Sequence, residues 1–287
     1  MNTNDLKIFE AVATSESFTK AASAMYTVQS NVTARIKTLE EELGAELFLR
    51  TSRKVMLTPA GNMLLQYSKQ IGHLIDQLKS EVKSSDTISG RLRVGCIETT
   101  MALKVPEMLN YFEENYPGVE LEFKSEPMGQ LIKDVMNYKL DAAFVSARVN
   151  VAGLNHLKIS KEKLVIISAS NGPSLNELIK QEPLKLIVFD EGCFFRSRLE
   201  SWLSSKGIMH YKNTTLNSIE GIINFVEAGL GISLLPEQVI TGYYSKRKIR
   251  CHRFNKQLET MNTALIFRKD IFQSKALDAF IAMCRKP

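Results

Sequence analysis

Between Gln29 and Lys37 the chain places an amide, two hydroxyls and a cation where a helical wheel brings them to one side. Ser30, Thr33 and Lys37 lie opposite the apolar stripe Val32, Ile36, Leu39 and Leu43, and Gln29 sits at the flank nearest the helix start. The chemistry open to such a set is hydrogen bonding at fixed spacing. Gln pairs bidentately with adenine, Ser and Thr take a base edge or a phosphate, and the Thr methyl packs on thymine. Arg35 and Lys37 suit phosphates. Arg50, Arg53 and Lys54, further along, are placed to flank a duplex, with one of them reaching the minor groove. Any amphipathic surface helix also shows polar residues on one side, so periodicity alone leaves the reading open.

The elements around this set narrow it. Leu6, Phe9, Val12 and Ala13 space a helix over Asp5–Thr14, and Ala21, Ala22 and Ala24 allow close approach in a second, Thr19–Met25. The third runs Val28–Leu43 and stops at Gly44. The following LFLRTSRKVMLTPAG reads as a two-stranded basic wing, in which Leu39, Leu43, Leu47 and Phe48 glue helix to wing and Glu40 holds a nearby basic group. Thr58 and Pro59 then open a new helix. That helix reaches about Val82, and its apolar Ala60, Leu64, Tyr67, Ile71, Leu74, Leu78 and Val82 form a narrow seam. The seam suits pairing of two chains; the alternative is a surface helix docked on its own domain. A polar stretch, Ser84 to Gly90, marks the domain boundary.

From Leu92 onward the texture is alternating strand and helix, expected to form a largely parallel sheet in two α/β lobes with a cleft between them. Strands are read at Leu92–Ile97, Val119–Phe123, Leu140–Val145, Leu164–Ser168, Leu184–Phe189, Tyr211–Leu216, Ile232–Leu235 and Thr263–Phe267. Helices are read at Thr100–Tyr116, Gln130–Tyr138, Ser197–Lys206, Ile219–Ala228 and Lys275–Arg285. Gly229 and Gly231 are expected to allow a tight helix-to-strand turn. Ligands in such folds bind where strand ends meet helix N-termini. Three junctions qualify: Ile97 to Thr100, Gly192 to Arg196, and Asn217 to Glu220.

These junctions nominate Thr99, Thr100, Cys193, Arg196, Ser218 and Ile219, with Ser146 at a strand end and Met128 and Phe194 as apolar walls. Hydroxyls, helix N-termini and Arg196 would suit a carboxylate or other small anion. Thr99 and Thr100 read equally as plain N-caps, and Arg196 as an ion-pair partner on a helix surface. Cys193 reads as a small lining residue or, near a helix N-terminus and Arg196, as a redox-sensing thiol.

Composition sets bounds on all of this. The 287 residues carry a net charge of +6, yet residues 1–90 hold ten basic and ten acidic side chains. The basic excess therefore lies in the C-terminal two-thirds. In the N-terminal part only segregation matters: Arg35, Lys37, Arg50, Arg53 and Lys54 against Glu40, Glu41 and Glu42. Cys96, Cys193, Cys251 and Cys284 have neither CxxC nor metal-like spacing, so no metal or resident cofactor is expected. No phosphate loop, GxSxG elbow or HExxH occurs, and His73, His156, His210 and His252 are isolated, which argues against an enzyme. The N-terminus MNTNDLKIFEAVA has neither a basic n-region nor a long apolar stretch, and no run approaches the roughly 20 apolar residues of a membrane span. A cytoplasmic protein without membrane contact is expected, not a secreted solute-binding protein.

Residues 18–61, FTKAASAMYTVQSNVTARIKTLEEELGAELFLRTSRKVMLTPAG, carry a longer pattern. Ala21-Ala22 is followed by Val32-Thr33, Ile36-Lys37, Leu39-Glu40, Leu43-Gly44, Leu47-Phe48 and Arg50, then by Leu57-Thr58-Pro59-Ala60-Gly61. It resembles the winged helix-turn-helix of the LysR-type transcriptional regulators, and the resemblance covers the whole chain. It departs at Thr33 and Ala34, where the family often has Ser and a DNA-contacting Arg, with Arg35 next door as substitute. The fold implied is α/β: an N-terminal winged helix-turn-helix over 1–58, a dimerisation linker helix and hinge over 59–90, and a two-lobed effector-binding domain over 91–287 similar to periplasmic solute-binding proteins. Lobe I takes about 91–161 and 264–287, and lobe II about 162–263. The implied partners are promoter DNA, a small-molecule co-inducer bound at the junctions above, RNA polymerase, and further copies of the chain. Pairing through Leu64, Tyr67, Ile71, Leu74 and Leu78 would give a dimer, and pairing of effector domains a tetramer.

Overall fold

The computed structural model describes residues 1–50, 54–83, 87–146, 151–254, 258–269 and 273–285. They form two compact units, 1–83 and 84–287.

In the first unit, α1 (Thr3–Ser15), α2 (Phe18–Ala24) and α3 (Gln29–Leu43) precede a hairpin of β1 (Phe48–Arg50) and β2 (Val55–Leu57), and α4 (Pro59–Lys83) follows. Local chemistry sets each helix start. The Asn2 side chain accepts from the backbone of Asp5, whose carboxylate accepts from Asn2 in return, and the Ser17 hydroxyl accepts from Lys20. Gly44 ends α3 at φ 64°, a left-handed conformation that glycine adopts without cost. The Thr58 hydroxyl accepts from Gly61 at 2.9 Å and donates to the Glu46 carbonyl, so one side chain caps α4 and ties it to the segment before the hairpin.

Phe9, Phe18 and Phe48 meet at the centre of the unit, with ring centroids 5.2 and 5.8 Å apart, among buried Leu6, Val12, Val32, Ile36, Leu39 and Leu47. Leu43, expected in the stripe that glues helix to wing, is instead 43% exposed. Leu43 shares the wheel side of Val32 and Ile36 but is the last residue of α3, so it lies past the end of the core rather than off its face. The expected seam of α4 also divides. Leu64 is buried in this core and Ile71 packs against it, so these two serve the chain's own fold. Ser68 is buried as well and donates to Glu10 of α1. Tyr67, Leu74, Leu78 and Val82 stay exposed, and Met63 joins them.

Among the described residues the second unit is built on a seven-stranded mixed sheet and a separate two-stranded parallel one. β3 (Ser89–Cys96), the helices α5 (Glu98–Leu103) and α6 (Val105–Asn115), β4 (Gly118–Ser125), α7 (Met128–Met136) and β5 (Ala142–Ser146) make parallel βα units. The single helix expected over Thr100–Tyr116 is two helices broken at Lys104, because Pro106 supplies no N–H and biases Val105 away from continuing the turn. Beyond this point the parallel pairing expected forms only where Leu184–Val188 runs beside Tyr211–Thr215, with a parallel bridge from Leu186 to Ile232, and the other pairings among the described residues are antiparallel. β6 (Leu154–Ala169) is a sixteen-residue strand, of which only Leu164–Ser168 was expected. After it come α8 (Leu175–Leu178), β7 (Leu184–Val188), α9 (Phe194–Ser205), β8 (Tyr211–Thr215), α10 (Ile219–Glu227), β9 (Ser233–Pro236), a π-helical turn Val239–Tyr243, and β10 (Ile249–His252). β11 (Thr260–Arg268) and α11 (Lys275–Arg285) close the chain.

β6 pairs antiparallel with β11 from Leu154 to Lys163, then with β9 and β10 from Leu164 onward. Its early half alternates polar and apolar residues because one face is wet. Its late half, Leu164 to Ile167, is continuously apolar because both faces are covered. Leu164 and Ile166 enter a core with Trp202 and Phe195, while Val165 and Ile167 enter another with Ile222 and Val239. Lobe I has its own core, where Phe280 of α11 meets Phe112, Phe123 and Phe144. Gly229 takes φ 74° at the end of α10, and a Cβ on Gly231 would sit 2.6 Å from the Lys185 carbonyl oxygen, so the tight turn into β9 requires both glycines.

Gly61 is held to glycine as strictly, since a Cβ there would collide with the Leu47 carbonyl and lie 2.9 Å from Leu57 Cδ2. Gly61→Ala is expected to destabilise the first unit by about 2 kcal/mol or more, read as faster hydrogen exchange at the Phe9 and Ile36 amides. Gly72→Ala, whose Cβ would meet nothing within 4 Å, should instead stabilise α4 by about 1 kcal/mol through helix propensity.

Candidate DNA interface and effector cavity

Burial of Val32, Ile36 and Leu39 fixes the roll of α3 and leaves Gln29, Ser30, Lys37 and Ala34 exposed, with Thr33 half-buried. Gln29 Oε1 accepts from the Thr19 hydroxyl at 2.9 Å, which holds the amide at the helix start. Val28 occupies the N-cap position without a side-chain bond and its carbonyl accepts from Asn31, so the N–H groups of Gln29 and Ser30 are those open to an outside acceptor such as a phosphate. Lys37 lies 3.6 Å from Glu41 on the exposed face.

Arg35 faces the other way. Its guanidinium reaches Asp5 at 3.2 Å and braces α3 against α1, so its first partner is a carboxylate of the fold rather than a phosphate. Glu40, expected to hold a basic group, accepts from the backbone N–H of Leu47 and anchors the wing. Arg50 ends β1 opposite Val55, and Arg53 lies outside the described residues. Sequence reasoning missed Tyr26, which is 98% exposed at φ 51° in the turn before α3. Its signal was present: an aromatic residue in a turn, outside any helical period.

In the second unit a cavity of about 400 Å³ opens between the lobes. Strand ends and helix starts line it: Ile97 and Glu98 after β3, Ser125 to Met128 after β4, Ser146 at the end of β5, and Phe189, Asp190, Glu191, Cys193, Phe194, Phe195 and Asn217 from lobe II. Of the residues expected here, Met128, Ser146, Cys193 and Phe194 come together. The Ser146 hydroxyl points to Met128 Sδ at 3.6 Å.

The other five do not line it. Ile219 is buried in the lobe II core, and Ser218 caps α10 by accepting from Gly221 at 3.1 Å. Arg196 bonds Glu200 at 2.9 Å and lies 3.7 Å from Glu191, which is the ion-pair role. Thr99 and Thr100 are buried in the first turn of α5, and neither hydroxyl has a hydrogen-bond partner, so they are not N-caps. Sequence reasoning missed the Glu126, Phe189, Asp190 and Glu191 positions. A strand-end rule applied to β4 and β7, as it was to β3, would have found them.

The charged side chains lining the cavity are all carboxylates: Glu98, Glu126, Asp190 and Glu191. This runs against the expectation of a small anion, because a carboxylate ligand would meet like charge there. The redox expectation for Cys193 also meets an obstacle. Burial pushes its thiol above the ordinary range, outweighing the Arg196 and Phe195 N–H groups and the Arg196 charge that pull the other way. Burial pushes Cys96 and Cys284 up to about 12. All four cysteines are free. Among the described residues there is no cluster fit to hold a metal ion, and no helix is long and apolar enough to cross a membrane.

Comparison with known proteins gives the same two-part division. The family model described as "Bacterial regulatory helix-turn-helix protein, lysR family" matches residues 3–62, and that of the "LysR substrate binding domain" matches 85–286. The chain is 38% identical over 281 residues to the HTH-type transcriptional regulator YusT of Bacillus subtilis, covering 98% of this chain and 94% of the relative. It is 35% identical over 285 residues to GltR of the same organism, covering 99% and 96%. Full-length CbnR complexed with its target DNA superposes with a TM-score of 0.69 at 20% identity, covering 100% of this chain and 99% of that one.

Two outcomes follow from the geometry. Gln29→Ala is expected to lower discrimination between operator and mutated operator by about 1–3 kcal/mol, measured by fluorescence anisotropy with competitor DNA. Unchanged affinity and operator choice would show that the register of α3 on DNA is wrong. Cys193→Ser should leave DNA binding under mild peroxide unchanged from wild type, and mass spectrometry should find the native thiol unoxidised.

Proposed function

Because this chain belongs to the LysR family of DNA-binding transcriptional regulators, we propose that residues 1–58 read an operator and that a small molecule in the interlobe cavity controls the outcome. One observation carries the reading of DNA: the exposed start of α3, where Ser30 projects opposite the buried Val32, Ile36 and Leu39 and Gln29 lies exposed at the flank. Gln29, Ser30 and Thr33 then contact base edges, while Lys37, Arg50 and Arg53 hold phosphates. Tyr26 joins the phosphate contacts through its hydroxyl. Arg35 acts indirectly, by bracing α3.

Residues 59–90 serve as dimerisation helix and hinge, and 91–287 as effector domain. The stripe Met63, Tyr67, Leu74, Leu78 and Val82 is exposed apolar surface on one helix, which supports pairing with a second copy. Pairing of effector domains would extend the dimer to a tetramer that touches two stretches of DNA. Effector binding would shift the lobes and with them the spacing of the readers. Promoter DNA, RNA polymerase, a co-inducer and its own copies are the partners of such a regulator, and it needs no catalytic residues.

Genome-wide mapping of binding sites tests the reading. Discrete sites sharing a motif are expected. Binding that is uniform across sequences and falls with salt alike on all of them would overturn it. Pairing has a separate test. Leu74→Glu with Leu78→Glu is expected to weaken dimerisation by more than about tenfold, the equivalent of about 1.4 kcal/mol, seen by light scattering as a shift toward monomer.

A further inference from the structure

We infer that the effector carries a protonated amine, held between Glu98 of lobe I and Asp190 of lobe II. The inference rests on the reading of the interlobe cavity as the effector site and adds the charge of what enters it.

Four carboxylates line the cavity, and two of them are already compensated. Lys124 holds Glu126 at 2.9 Å, and Arg196 lies 3.7 Å from Glu191. Among the described residues the Glu98 carboxylate is in no ion pair and accepts from the neutral Ser125 hydroxyl at 3.0 Å. No cation is paired with the Asp190 carboxylate among the described residues. The uncompensated pair therefore sits one on each lobe. Closing the cleft on a neutral ligand brings two like charges together in a space that is losing water, which raises their repulsion. An ammonium group between them reverses the sign. It gains two charge-assisted hydrogen bonds and favours the closed arrangement of the lobes over the open one.

Met128, Phe189 and Phe194 give the cavity apolar walls beside the polar Ser146 and Asn217. They suit a hydrocarbon or aromatic body attached to the amine.

The test uses the full-length protein and panels of small primary amines, diamines and amino acids, each matched in shape to a neutral alcohol and a carboxylate. Thermal shift and calorimetry at low salt read binding, and operator anisotropy reads coupling. At least one amine is expected to bind, its alcohol and carboxylate counterparts more weakly by tenfold or more. Asp190→Asn and Glu98→Gln should each cost the amine at least tenfold in affinity while leaving the thermal stability of the ligand-free protein intact. A hit list of carboxylates or alcohols with no amine overturns the inference, as does an amine whose affinity ignores both substitutions. If carboxylates bind and alter operator binding, the effector reading stands and this inference falls. If an amine binds through Glu98 and Asp190 without altering operator binding, the charge assignment stands and the effector reading falls.

Discussion

The second unit depends on β6 and β11 running on past the point where one lobe ends and the other begins. In its first ten residues β6 pairs with β11, and from Leu164 it pairs with β9 and β10. Near this exchange the ladder shifts register between Thr263 and Ala264, and Glu162 is buried against it. The Glu162 carboxylate accepts from Thr263 at 2.7 Å and from Ser160 at 3.2 Å, so a charged group inside the sheet holds the crossing through its hydrogen bonds. A continuous backbone ladder is stiff along the strand and compliant in twist. Two separate cores on one such ribbon can therefore tilt against each other without breaking pairs.

The cavity follows from this topology. Strands β3, β4, β5 and β7 all end at the gap between the cores, and the residues just past those ends line it. That is why Glu98, Glu126, Ser146 and Asp190, distant in sequence, become neighbours of one space. It is also why the charge of the site is an assembly property. Lys124 and Arg196 are basic residues close to the cavity, yet each is taken up by a carboxylate.

In the first unit the corresponding constraint is the aromatic cluster of Phe9, Phe18 and Phe48. It joins α1, α2 and the wing into one core, and the buried stripe of α3 docks on that core. The roll of α3 is then not free, and the side presented outward is the one carrying Gln29 and Ser30. The same core claims Leu64 and Ile71 of α4, leaving a different set of apolar residues for contact with another chain.

Sequence periodicity was enough for the elements whose burial is one-sided. Val32, Ile36 and Leu39 repeat at helical spacing because one face meets the core, and Thr58, Pro59 and Gly44 mark helix ends by local chemistry alone. The winged helix-turn-helix and the two-part division were legible for that reason. Residues whose role depends on distant neighbours were not. Leu43 and Leu64 share an apolar character, yet packing exposes one and buries the other. Arg35 and Arg196 read as anion binders until Asp5 and Glu200 are seen beside them. The long strand β6 was hidden because its two halves have different surroundings, and only the lobes decide which faces are wet. Local propensity and capping act within a few residues, so the chain declares them directly. Charge compensation and burial act across the fold, so only tertiary structure decides them.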